Sequence, residues 1–96
     1  YCFTWSVYTT GTNILAGNQY NSILFKNGAA LKYGHPALGT TTGALVASGG
    51  SCCVKMNGST DYVEVYFLNS NAVTTLTTNN SSLVTYFSGT WTGPNA

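Results

Sequence analysis

Apolar and polar residues alternate along most of this chain, and no sustained face of apolar residues recurs at helical spacing. The stretch 1–9, "YCFTWSVYT", places Tyr1, Phe3, Trp5 and Val7 on one side and Cys2, Thr4, Ser6 and Tyr8 on the other. A second strand is predicted over 19–26, "QYNSILFK", and the Asn27-Gly28 pair after it is a strong hairpin turn signal leading into 29–33, "AALKY". His35-Pro36 breaks that run. The pieces 43–48 and 51–56 flank Gly49-Gly50 and read either as one bulged strand or as two. Asn57-Gly58 turns the chain again before 61–68, "DYVEVYFL", where Val63, Val65 and Phe67 stand against Tyr62, Glu64 and Tyr66. A weaker strand is predicted over 72–77, a turn over 79–82 and a closing strand over 83–91, "LVTYFSGTW". Short strands at this even spacing, with turn signals between them, predict one all-β domain over residues 1–96, an antiparallel sandwich of two sheets sharing one core.

Composition narrows the function classes. Only 5% of the residues are charged (Lys26, Lys32, Lys55, Asp61 and Glu64), and Thr, Asn, Ser and Gly supply close to half of the chain. Phosphate binding needs several cations on one face, so a nucleic-acid partner is not expected. No run approaches the roughly 20 apolar residues of a membrane span, and no membrane insertion is expected. Cys2, Cys52 and Cys53 are odd in number, and a bond between the adjacent pair would be strained; all three are expected as buried free thiols.

Candidate chemistry is sparse. Asp61 and Glu64 lie an odd number of residues apart, so a strand turns them to opposite faces and they cannot form a facing carboxylate pair. Asp61 reads as part of the turn begun at Asn57-Gly58. A nucleophilic pair of Cys52 with His35 has nothing in the sequence to bring it together. A zinc set of Cys2, Cys52, Cys53 and His35 lacks ligand spacing, and two acids are too few for calcium. No catalytic residue, metal or cofactor is expected. The Asn-x-Ser sequons beginning at Asn57, Asn79 and Asn80 read as turns.

The ordered series "YCFTWSV", "ILFKNG", "GALVASGGSCCVKMNGSTDYVEVYF" and "YFSGTW" resembles the C-terminal two-thirds of the C1q/TNF-like jelly roll. The D-x-V-x-V opening of one family strand is matched by Asp61, Val63 and Val65, and the F-S-G of the last strand by Phe87, Ser88 and Gly89. The "ILFKNG", "DYVEVYF" and "TYFSG" stretches are most similar to the branch found in bacteriophage fibre tips and other virion surface proteins. The family's first strands are missing here, which implies a fragment or another segment that completes the sheet.

The resemblance implies a homotrimer with strands 1–9 and 83–91 in the inner sheet. Phe3, Trp5, Val7, Val63, Val65, Phe67, Phe87 and Trp91 are then the expected core. Thr4, Ser6, Tyr8, Tyr86, Ser88, Gly89 and Thr90 are the expected trimer interface, with Gly89 small because a neighbouring chain comes close. The implied function is that of a non-enzymatic virion structural protein, a fibre-tip or capsid decoration (cement) head made in the host cytoplasm and displayed on the virion. Its partners would be itself, other virion proteins, and host-surface carbohydrate or protein. The alternative is a secreted C1q-like binding or signalling module of a cellular organism.

Overall fold

A computed structural model describes residues 1–9, 14, 16–41, 45–70, 81 and 84–93. The described residues form strands and no helix: β1 Cys2–Tyr8, β2 Gln19–Lys26, β3 Ala29–Tyr33, β4 Ala37–Leu38, β5 Ala47–Cys53, β6 Val63–Asn69 and β7 Tyr86–Thr90. The β2–β3 hairpin is set locally. Asn27 (φ 52°) and Gly28 (φ 82°) both take the left-handed backbone that a two-residue hairpin turn requires.

All pairings are antiparallel and fall into two sheets. One has the order β5-β1-β7. In the other, β6 runs along β2 from Tyr20 to Lys26, so β3 and β4 share the opposite edge of β2 in tandem. The piece 51–56 does not stand alone. Gly49-Gly50 lie inside a single strand, β5, because two backbones crowd them: a Cβ on Gly49 would sit 2.5 Å from Trp5 O, and one on Gly50 would sit 2.9 Å from the Trp5 ring and 3.3 Å from Gly34 Cα. β4, beyond His35-Pro36, has no forerunner in the sequence pattern; its two residues pair with Gln19 and Tyr20 only because the fold brings them there. The strand predicted over 72–77 lies outside the described residues.

The sandwich closes on one side. Gly34 N donates to Ser22 O (2.8 Å) and His35 N donates to Gly49 O (2.9 Å), so the end of β3 bridges β2 of one sheet to β5 of the other. Inside, Phe3, Trp5, Leu24 and Val54 form one apolar cluster, with Cys52, Met56, Val63 and Val65 packed against it. Ile14, Tyr20 and Val46 form a second, with Ala37 and Phe67. A buried polar knot ties the sheets together. Trp5 Nε1 donates to Ser22 Oγ (2.8 Å), Ser22 and Ser48 share a hydroxyl bond (2.8 Å), and Ser48 donates to His35 O (2.5 Å).

Two expectations need correction. Cys2 and Cys53 are not free thiols: they are directly opposed in the β1–β5 ladder and form a disulfide, leaving Cys52 free and half-buried. Phe87 and Trp91 are not core. They are 45% and 63% exposed, Phe87 on a strand that pairs with β1 alone among the described strands and Trp91 just beyond its end.

Candidate functional site

Alternation along β1, and its register with both neighbours, sorts the β5-β1-β7 sheet into two faces. The inner face carries Phe3, Trp5 and Val7. The outer face follows from the same pairing as three rows: Thr90–Cys2–Cys53, Ser88–Thr4–Ser51 and Tyr86–Ser6–Gly49. It carries hydroxyls, a disulfide and a tyrosine, with no carboxylate, amine, guanidinium or imidazole in any row. Ser6 Oγ donates to Val84 O (2.8 Å) and Tyr8 N to Thr85 Oγ1 (3.2 Å), which fastens the start of β7 to β1.

This face is concave beside β5. A cleft of about 600 Å³ is lined by Thr4, Ser6, Gly49, Ser51 and Tyr86 from the sheet, and by Lys32 to His35 from the bridge. Its volume falls within the range of small-molecule sites. Tyr33 is 62% exposed and Tyr86 43% exposed, one from each side of the cleft. Among the described residues, the hydroxyls of Thr4 and Ser51 and the phenols of Tyr33 and Tyr86 have no hydrogen-bond partner. A second groove, about 580 Å³, opens between β6 and β7 and is lined by Val7, Val63, Val65, Phe67 and Phe87 with Tyr86 at its rim.

The expected core residues Phe3, Trp5 and Val7 are buried, and Val63, Val65 and Phe67 are half-buried beside the two clusters. Of the expected interface residues, Thr4, Ser6, Tyr86, Ser88 and Thr90 stand together on the outer face, with Tyr8 next along β1. Gly89 does not belong with them. It pairs with Phe3 on the inner face, and a Cβ there would lie 2.7 Å from the Phe3 ring. Its smallness is explained within the chain. The phenyl ring of Phe3 fills the space, flanked by Phe87 at 5.7 Å and Tyr1 at 6.1 Å.

The two carboxylates, Asp61 and Glu64, are placed apart from the cleft. Asp61 is taken up in the turn that follows β5: it accepts hydrogen bonds from Asn27 Nδ2 and Asn57 N (both 2.9 Å), with Lys26 3.5 Å away. These partners, Asn27 first, hold its carboxyl below its ordinary value. Asn57 Oδ1 accepts from the backbone N–H of Ser59, Thr60 and Asp61, so this asparagine is engaged in the turn itself. Glu64 accepts a long bond from Tyr66 OH (3.4 Å). His35 joins the buried knot through its main chain, and its imidazole does not take part.

Sequence reasoning missed Tyr33, His35, Gly49 and Ser51 as members of one site. Their union depends on the bridge from β3 to β5, a contact between distant segments; the sole local trace was the Gly49-Gly50 pair. The chain matches no protein-family model, no curated protein and no solved structure.

Proposed function

We propose that this chain is a non-enzymatic head of a virion surface, at a fibre tip or on a capsid as a decoration protein, and that it works by adhesion through the outer face of the β5-β1-β7 sheet. The observation that carries the reading is the chemistry of that face: a broad array of hydroxyls and tyrosines around an uncharged floor. Such a surface offers hydrogen bonds and aromatic contact without charge, which suits recognition and assembly. The ordered motifs of the C1q/TNF-like jelly roll support the same reading, and with it a homotrimer. The trimer contact is centred on the end of β7 away from the cleft, where Ser88 and Thr90 are exposed on the outer face. That arrangement leaves the β5 half of the face, with its cleft, turned towards a host surface.

Sedimentation of the purified chain, with a count of its copies in native particles, tests this. Three chains of 10.1 kDa per head, found in a virion, are expected. A stable monomer absent from any particle overturns it.

One observation favours the second reading, a secreted binding module of a cellular organism. Disulfides persist in oxidising compartments, and Cys2–Cys53 is such a bond. Thiol mapping of the native protein separates the two: a quantitative Cys2–Cys53 bond in material recovered from a cell's secretions favours the secreted module.

A further inference from the structure

We infer that the cleft beside β5 is a binding site for an uncharged saccharide, with Tyr33 and Tyr86 as its stacking walls. The inference rests on the adhesive reading above and names the class of ligand that the face would take. Three features of the cleft converge on it. The walls are aromatic. A pyranose ring has a face of C–H groups that packs on a tyrosine ring, and a tyrosine offers that surface at little cost in conformational entropy. Tyr33 and Tyr86 are the exposed rings that line this cavity. They come from opposite sides of it, β3 and β7.

The polar groups match a sugar as well. Thr4 and Ser51 are neighbours in one outer row, and their hydroxyls are unpartnered among the described residues. A hydroxyl both donates and accepts, so it can meet a sugar hydroxyl in either sense. Binding a ligand that satisfies these groups costs no internal hydrogen bond.

The charge of the cleft selects against other ligands. Among the described residues of its lining, Lys32 is the only formally charged one, and none carries a carboxylate. A phosphorylated or polyanionic ligand needs several cations, and the positive charge of Lys32 opposes a cationic one. An uncharged, polyhydroxylated ring satisfies what is left. The scaffold holds the site rigidly, because the wall that carries Tyr33 is tied to the floor through His35 N to Gly49 O and through the knot of Ser22 and Ser48.

The test is a titration of the full chain with lactose, maltose and N,N′-diacetylchitobiose, read by amide chemical shifts at concentrations up to tens of millimolar, the range of a weak sugar site. At least one disaccharide is expected to shift Tyr33, Gly49, Ser51 and Tyr86 together. Tyr33→Ala and Tyr86→Ala should each weaken that response by about tenfold, while Tyr33→Phe, which keeps the ring, should retain most of it. Lys55→Ala, outside the cleft, and about 0.5 M sodium chloride should leave it unchanged. No response to any of the three sugars overturns the proposal, as does a response that salt removes. Sedimentation of the same samples keeps the two readings distinguishable. A trimer on native particles with a silent cleft sinks the saccharide site alone; a sugar-binding monomer sinks the virion assembly and leaves the site standing.

Discussion

Ser22 is the residue on which both sheets turn. It is fully buried, accepts from the Trp5 indole, shares a bond with Ser48, and accepts at its main-chain oxygen from Gly34 N. A Ser22→Ala change would leave the indole N–H in the core with no acceptor in place, a loss of about 1–3 kcal/mol. Urea denaturation followed by tryptophan fluorescence checks this; a midpoint equal to that of the parent chain would remove Ser22 from any structural role. Gly89 makes the opposite demand, for absence of a side chain. Gly89→Val would drive atoms into a Phe3 ring held between Tyr1 and Phe87, costing about 1–3 kcal/mol by overpacking. Trimming the ring in the double variant Phe3→Leu/Gly89→Val should recover part of that loss in thermal unfolding. Without any recovery, Phe3 is not the reason for the glycine. Asp61 acts at the surface and through pH. Its folded-state carboxyl titrates below the unfolded one, so its contribution is present above about pH 4 and is lost as pH falls through the folded value. Asp61→Asn should therefore lower the melting temperature near neutrality and not in strong acid; an equal deficit at both would point to lost packing instead. Alternation put Phe3, Trp5 and Val7 on one face of β1 from the sequence alone. It could not show that Ser22 shares their interior, because a serine reads as solvent-facing until its partners are known.

The elements differ in how far local chemistry decides them. The β2–β3 hairpin was legible because Asn27-Gly28 demands a particular turn whatever surrounds it. β5 was legible only in part: glycines normally end a strand, and these two stay in one because Trp5 and Gly34 press on them from either side. β4 was not legible at all, since a two-residue strand carries no period. The disulfide belongs to the same class of long-range facts. Cys2 and Cys53 lie 51 residues apart in sequence and become neighbours only through the β1–β5 register. Closing a loop of that length restricts the unfolded chain, and its removal should cost about 2–4 kcal/mol. Cys2→Ser and Cys53→Ser are expected to destabilise alike in urea, each becoming insensitive to added reductant. Cys52→Ser should change little, and its stability should still fall when reductant is added. Equal stability of parent and Cys53→Ser under oxidising conditions would mean that the bond does not form in solution.

At the scale of the molecule the two sides of the sandwich are unlike, and function follows that asymmetry. One side is knitted shut by the end of β3, which turns Tyr33 and His35 towards the outer face and makes a cleft of what would otherwise be a flat sheet. On the other side β6 and β7 flank an apolar groove, with Phe87 exposed at its margin. The sequence disclosed half of the outer face, since Thr4, Ser6, Tyr86 and Ser88 alternate with the core residues of their own strands. It was silent on Ser51 and Tyr33, whose membership depends on which strands meet. This asymmetry makes the proposed trimer testable without a structure of it. Amides of β1 and β2 lie in ladders flanked on both sides and should exchange slowest at any concentration. β7 is hydrogen-bonded to β1 alone among the described strands, so in a dilute monomer its outward amides should exchange rapidly. If three chains assemble around β7, its protection must rise with concentration while that of β3, far from the contact, stays constant. Hydrogen exchange read by mass spectrometry across a hundredfold or greater dilution series decides it. Protection of β7 that does not vary across a series in which sedimentation records dissociation would place the contact elsewhere.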